Sequence, residues 1–136
     1  MAHKAQAIIL TCIDFRFRHP VQELIEKELN LTDFDLKGDA GGAKQLLGDS
    51  PVKDWILKNF QVAFDLHDVN RVILINHTDC GAYGGSKLHG SVEEEIKFHD
   101  DQLKQAVAVV RTRYPDKQVE AYLAVLDEPI KLQKVV

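Results

Sequence analysis

The sequence lacks the features that would place it in a membrane, on a nucleic acid or among disulfide-stabilised proteins. It has two cysteines, so at most one disulfide is possible, and a chain of 136 residues can build a core without one. No apolar run approaches the roughly 18 residues of a membrane helix, and the N-terminal residues lack the pattern of a secretory signal. A net charge of -4 without a basic cluster excludes nucleic acid as the default partner. We therefore expect a cytoplasmic protein whose cysteines serve chemistry or metal binding.

The remaining composition is that of an ordinary globular protein. Hydrophobic residues make up 45% of the chain and charged residues 28%. Because most domains contain about 100–150 residues, we expect one domain spanning residues 1–136.

Apolar runs of strand length recur along the chain. Residues 5–11 form a short apolar run typical of a buried strand, and a weaker run follows near residues 34–36. The β-branched run at residues 71–76 predicts a strand that is covered on both faces. Residues 119–126 predict another strand, and the tail at 128–136 is either an edge strand or an arm.

Helical patterns separate these strands. The first helix is expected over residues 20–30, beginning at a proline, because apolar residues recur there at helical spacing. Ser50 is the predicted N-cap of a second helix over residues 51–67, and Ser91 with Glu94 forms a capping box for a third. The alternation predicts an α/β fold with a mostly parallel sheet of about four or five strands and helices on both faces.

Three candidate metal ligands follow the predicted strands. Cys12 comes directly after the first strand, His77 directly after the third, and Cys80 three positions later. Because ligands of parallel sheets bind at the carboxyl ends of the strands, these side chains are expected to meet at one edge. Two thiolates and an imidazole suit zinc, and three protein ligands leave the open position of a catalytic site. The sequence therefore predicts one zinc ion at this edge.

Simpler interpretations of these residues stay open. Cys12 and Cys80 can be small buried hydrophobic residues, and His77 a turn histidine with satisfied hydrogen bonds. A redox pair is a further alternative, although the two cysteines do not form a C-x-x-C motif. A cysteine phosphatase or sulfurtransferase needs a longer anion loop after the cysteine, whereas Arg16 follows Cys12 by only four residues. Joint placement at one sheet edge favours the metal site.

Two short motifs contain these residues: residues 12–16 read C-I-D-F-R, and residues 77–81 read H-T-D-C-G. They resemble the C-x-D-x-R and H-x-x-C-G motifs of the β-class carbonic anhydrases. The resemblance implies that family's α/β fold, with zinc held by Cys12, His77 and Cys80. It also implies CO₂ and bicarbonate as substrates, and a homodimer or higher homo-oligomer.

The resemblance assigns roles to two residues near Cys12. Asp14 either completes the zinc shell or leaves it to water, and Arg16 holds Asp14 in a salt bridge that keeps the zinc open. Zinc can lower the pKa of bound water to about 7, which yields a hydroxide that attacks the carbon of CO₂. Arg16 can bind both carboxylate oxygens of Asp14 through two parallel hydrogen bonds. The pair can also be a structural ion pair only. Gly41 and Gly42, in a glycine-rich segment that partly matches a family motif, are the candidate substrate-binding residues.

The leading hypothesis is a zinc lyase that reversibly hydrates CO₂ to bicarbonate. Hydrolysis of CS₂ or carbonyl sulfide is a close alternative, and a non-catalytic zinc-binding domain is an alternative of a different class. The apolar segments 8–10 and 135–136 are candidates for pairing between subunits. Histidines other than His77, including His99, are expected at the surface or at caps. Tyr83 either lines the pocket or packs, and the acidic run at residues 93–95 is assigned no function.

Overall fold

The computed structural model describes residues 3–136 and contains five strands and three α-helices. Met1 and Ala2, the first residues of the predicted domain, lie outside the described residues. The strands are β1 (Ala7–Thr11), β2 (Phe34–Gly38), β3 (Arg71–His77), β4 (Gln118–Val125) and β5 (Lys131–Lys134). The helices are α1 (Phe15–Glu28), α2 (Pro51–His67) and α3 (Val92–Arg113). Within residues 3–136, none of these helices has the length and apolar character needed to cross a membrane.

The five strands form one sheet in the order β2-β1-β3-β4-β5. The first four strands of this order run parallel, and β5 pairs antiparallel with β4. The predicted α/β class with a mostly parallel sheet is confirmed, and the ambiguous tail forms an edge strand. Because β1 and β3 are paired neighbours, with Thr11 opposite Ile75, their carboxyl ends lie side by side at one edge of the sheet.

Helices cover both faces of the sheet, as the alternating pattern predicts. Apolar residues of α2 and α3, such as Phe60 and Leu103, pack with one set of strand side chains. Residues of α1, such as Val21, pack with the alternate set on the opposite face. The segment 8–10, expected to pair subunits, is buried in this chain's own core. That expectation was wrong because β1 is an interior strand, buried on both faces. Val135 and Val136 are half-buried and pack against the same core, and their role in pairing subunits stays a prediction.

The start of α1 differs from the prediction. The helix begins at Phe15 rather than at Pro20, which lies inside it. Asp14 is the N-cap, and its Oδ1 accepts a hydrogen bond from the backbone N–H of Arg16 at 2.9 Å. The cap therefore starts α1 directly after the first motif, which brings Asp14 and Arg16 close to the end of β1.

The other two helices begin where their capping residues indicate. Ser50 Oγ accepts a hydrogen bond from the N–H of Lys53 at 3.4 Å at the start of α2. Ser91 Oγ accepts one from the N–H of Glu94 at 3.1 Å, and the Glu94 carboxylate accepts one from Gly90 at 2.8 Å. These contacts satisfy amide groups that have no partner within the first turn of a helix.

Candidate metal centre

The fold brings the three predicted ligands together at the carboxyl edge of the sheet. Cys12 follows the last residue of β1, His77 is the last residue of β3, and Cys80 lies in the turn after it. One sulfur of each cysteine and one ring nitrogen of His77 all lie within 4.8 Å of one another. The Cys12 and Cys80 sulfur atoms are 3.9 Å apart. Two sulfurs bound tetrahedrally to one zinc at about 2.3 Å each would be about 3.8 Å apart, so the spacing fits a shared ion.

His77 presents its Nε2 atom to this cluster. Its Nδ1 lies 2.6 Å from the carbonyl oxygen of Thr78, so Nδ1–H donates there and Nε2 keeps its lone pair. The Nε2 atom is buried and has no hydrogen-bond partner among residues 3–136. A buried polar nitrogen without a partner is unfavourable, and a metal ion would satisfy it. This finding disfavours the interpretation of His77 as a satisfied turn histidine.

The two thiols interact strongly with each other. A hydrogen bond with Cys80 is the main cause that lowers the pKa of Cys12 far below that of a free thiol. His77 and the backbone N–H of Gly41 lower this pKa further. The same hydrogen bond, followed by burial, raises the pKa of Cys80. The pair therefore favours one thiolate and one thiol when it is alone. A divalent cation would compensate the charge of a second thiolate, so the donor set fits zinc.

Asp14 lies beside the cluster and is held by Arg16. Arg16 Nη2 donates to Asp14 Oδ2 at 2.7 Å, and Nε lies 3.1 Å and 3.2 Å from Oδ1 and Oδ2. These hydrogen bonds lower the pKa of Asp14 to about 2, so its carboxylate stays ionised near neutral pH. Asp14 Oδ2 is 3.8 Å from His77 Nε2. The carboxylate thus lies next to the candidate ligands while its charge is compensated by Arg16.

The two candidate substrate-binding glycines face Cys12. Gly41 has φ +81° and donates its N–H to the Cys12 sulfur at 3.4 Å. Gly42 has φ +52°, and a Cβ there would lie 3.2 Å from the Cys12 backbone nitrogen and 3.1 Å from Asn76 Oδ1. Both positions therefore need glycine for backbone conformation, and Gly42 also for space. Their contact with substrate stays a prediction.

An apolar cavity reaches the cluster from the side of α1 and β2. Its volume is about 260 Å³, and Cys12 and His77 contribute to its wall. Most other lining residues are apolar, among them Phe17, Val21, Phe34, Leu36 and Ile75. Phe17 also stacks on the ring of His77, with 4.1 Å between ring centroids, and so fixes the plane of that imidazole.

Comparison with known proteins identifies the family. The sequence pattern of a family described as "Putative carbonic anhydrase" matches residues 2–135. The chain belongs to this carbonic anhydrase family. A protein of Rickettsia bellii, named only as uncharacterized, is 27% identical over 135 residues, which cover 95% of this chain and 82% of that protein.

Two solved structures of carbonic anhydrases share the fold. The enzyme from Streptococcus mutans superposes with a TM-score of 0.67 at 15% identity, covering 99% of this chain and 84% of that one. The β-carbonic anhydrase isoform I of Trichomonas vaginalis gives 0.64 at 19% identity, covering 100% and 86%. At these identities the likeness establishes the β-carbonic anhydrase fold, which confirms the fold expected from the motifs.

The candidate site also involves residues that the sequence did not single out. Asp79, between the two candidate ligands of the second motif, contacts Arg16 through its carboxylate at 2.9 Å and its carbonyl oxygen at 2.8 Å. Glu95, in the acidic run that was assigned no function, is buried and accepts a hydrogen bond from the N–H of Asp79 at 2.8 Å. The position of Asp79 between two candidate ligands was the available signal, whereas the burial of Glu95 depends on tertiary packing.

Two further residues behind the cluster correct or refine the predictions. His99 is 1% exposed and lies in α3, so its expected surface position was wrong. Tyr83 packs edge-on against His99 with 4.9 Å between centroids, and its hydroxyl accepts a hydrogen bond from Asn76 at 3.0 Å. Asn76 Oδ1 accepts in turn from the N–H of Ala43 at 3.1 Å. Tyr83 is therefore a packing residue that supports the loop next to Cys12.

Proposed function

We propose that this chain is a zinc-dependent carbonic anhydrase that reversibly hydrates CO₂ to bicarbonate, acting as one zinc-binding domain over residues 1–136. The observation that carries the proposal is the convergence of Cys12, Cys80 and the unpartnered Nε2 of His77. Membership of the carbonic anhydrase family supports the reaction class. Cys12, His77 and Cys80 would hold the ion through two sulfurs and one nitrogen.

When bound, Zn²⁺ supplies a Lewis acid that makes water a nucleophile near neutral pH. The protein supplies the surroundings of that chemistry. Asp14, ionised and held by Arg16, is a hydrogen-bond acceptor adjacent to the ligands and orients the group that attacks carbon. Arg16 would keep Asp14 away from a bound ion, because its guanidinium binds both carboxylate oxygens. The apolar cavity admits a small neutral substrate and disfavours bulk water.

The size and lining of the cavity support a second candidate substrate class. The cavity of about 260 Å³ has room for a small molecule of three atoms. CS₂ and carbonyl sulfide are, like CO₂, small uncharged linear electrophiles, so the apolar wall can accept them as well. Hydrolysis of these molecules at the same site is therefore the alternative activity.

The proposal includes assembly and location. We expect a homodimer or higher homo-oligomer, since apolar Phe15 and Leu36 are exposed close to the site. A cytoplasmic location would keep Cys12 and Cys80 reduced and able to bind metal. Sedimentation of the purified protein measures the assembly directly.

Turnover of the three candidate substrates tests the function. Zinc-loaded protein is mixed with CO₂, carbonyl sulfide or CS₂, and the rate per bound zinc is measured against protein stripped with a chelator. The proposal predicts zinc-dependent hydration of CO₂. Zinc-dependent turnover of only the sulfur compounds favours the alternative. Bound zinc without turnover of any of the three would identify a non-catalytic zinc-binding domain.

A further inference from the structure

Asp79 adopts a backbone conformation that places two acceptors on one guanidinium. Its φ of 54° lies in the left-handed region, which few residues other than glycine adopt, although aspartate is among those that tolerate it. In this conformation the carbonyl oxygen accepts from Arg16 Nη2 at 2.8 Å and Oδ2 accepts from Nη1 at 2.9 Å. Strained residues of this kind cluster at functional sites. Asp79 of the second motif therefore accepts two hydrogen bonds from Arg16 of the first motif.

Asp14 and Asp79 together fix the orientation of Arg16. Asp14 accepts from Nε and Nη2, and Asp79 accepts from Nη1 and Nη2, so four of the five N–H groups of the guanidinium can be engaged. The Arg16 side chain is 37% exposed, so burial alone does not immobilise it. Without Asp79, the guanidinium would be held from the Asp14 side only, and both side chains could shift together.

Asp79 is itself anchored by a buried carboxylate. Glu95 is 3% exposed and accepts hydrogen bonds from the N–H of Asp79 and from Ser86 Oγ, each at 2.8 Å. Asp79 Oδ1 accepts from the N–H of Ser86 at 2.9 Å. The carboxylates of Glu95 and of Asp79 itself therefore accept the hydrogen bonds that hold Asp79 in its left-handed conformation. Hydrogen bonds to charged acceptors are stronger than those between neutral groups.

We propose that Asp79 is a positioning residue that holds Arg16 so that Asp14 stays off the metal. The inference rests on the proposed function and deepens it. Asp14 Oδ2 is only 3.8 Å from His77 Nε2, so a small movement would bring it to an ion at the cluster. When Asp79 no longer restrains Arg16, Asp14 becomes a fourth ligand more often. Zinc is then bound more tightly, and the position needed for hydration is closed.

The substitution Asp79→Asn isolates this contact. Asparagine tolerates the left-handed conformation and keeps an acceptor for the N–H of Ser86, but it turns an amide donor toward Arg16. Asp68→Asn is the matched control, because Asp68 has φ 52° and an ion pair with Lys4 at the end of α2. Zinc content, rate of zinc loss to excess chelator and CO₂ hydration per zinc are measured on each protein.

Asp79→Asn should slow zinc loss by about tenfold, the scale of one charge-assisted interaction, and lower hydration per zinc by a similar factor. Asp68→Asn should match the wild type in both measurements. In an Asp14→Asn background, the added Asp79→Asn substitution should no longer slow zinc loss, because the carboxylate that would close the site is absent. If Asp79→Asn unfolds, Asp79→Gly keeps the backbone conformation without the carboxylate, and the same results are expected from it.

Two results would overturn the inference while leaving the proposed function intact. Wild-type rates of zinc loss and hydration in Asp79→Asn would mean that Asp79 only caps its loop. Slower zinc loss that persists in the Asp14→Asn background would mean that Asp79 does not act through Asp14. Wild-type protein that binds no zinc or hydrates no CO₂ would overturn both the inference and the proposed function.

Discussion

Acidification is expected to destabilise this chain through His99. The His99 ring is buried against Tyr83 and Phe98, and neither ring nitrogen has a hydrogen-bond partner within residues 3–136. Burial lowers its pKa from 6.5 to about 4. Among the charged groups that face it, Glu95 raises the pKa while His77 and His89 lower it. The folded protein therefore keeps His99 neutral at a pH where the unfolded chain protonates it.

The sign and size of the effect follow from this difference. A base whose pKa is lower in the folded state favours unfolding as the pH falls from the unfolded pKa of about 6.5 to the folded pKa of about 4. Each pH unit in that window is worth about 1.4 kcal/mol, so His99 should reduce the free energy of unfolding by roughly 3 kcal/mol. Below about pH 4 both states are protonated, and His99 should cause no further loss.

Denaturant titration of the wild type and His99→Leu at several pH values measures this contribution. Leucine has a similar volume and cannot titrate, so the loss of stability between pH 6.5 and pH 4 should be smaller in the variant by roughly 3 kcal/mol. His19→Leu serves as the control for the substitution itself, because His19 is exposed on α1. Parallel pH profiles of the wild type and His99→Leu would refute the argument.

Three further predictions concern the site. Cys80→Ser should lose stoichiometric zinc, because only two of the three strong ligands remain, and elemental analysis that finds one zinc per chain would contradict this. Arg16→Ala should retain zinc but lose most CO₂ hydration, whereas normal turnover per zinc would show that its ion pair is only structural. Gly42→Ala should lower the free energy of unfolding by about 2 kcal/mol or more and weaken zinc binding, because a Cβ would crowd the Cys12 backbone. Gly48→Ala has the same left-handed strain in open space and should weaken zinc binding little, so equal zinc affinities of these two variants would argue against crowding.

Much of the fold could be predicted because local signals agree with tertiary packing. The β-branched run of β3 is buried on both faces, and the Ser50 and Ser91 caps begin helices where their residue types indicate. The start of α1 was missed because Asp14 was interpreted only as part of a site motif. Its carboxylate serves two purposes, capping the Arg16 N–H and pairing with the Arg16 side chain. Pro20, which usually marks the start of a helix, lies within the helix that this cap begins.

The site was predictable to the extent that it depends on strand ends. Cys12 and His77 lie at the ends of neighbouring parallel strands, so their meeting follows from topology. Glu95 and His99 lie on α3, and their burial depends on how the loop after Cys80 packs against that helix. A charged residue in the first turn of a helix usually faces solvent, so the burial of Glu95 could not be expected from its residue type and position.

The zinc dependence of CO₂ hydration by the wild-type protein tests the central claim most directly. Stopped-flow rates are measured on protein as purified, after removal of metal with a chelator and after zinc is restored. We predict hydration well above the spontaneous rate, in proportion to bound zinc, with loss on chelation and recovery on reloading. Protein that carries one zinc per chain and hydrates CO₂ only at the spontaneous rate would contradict the account.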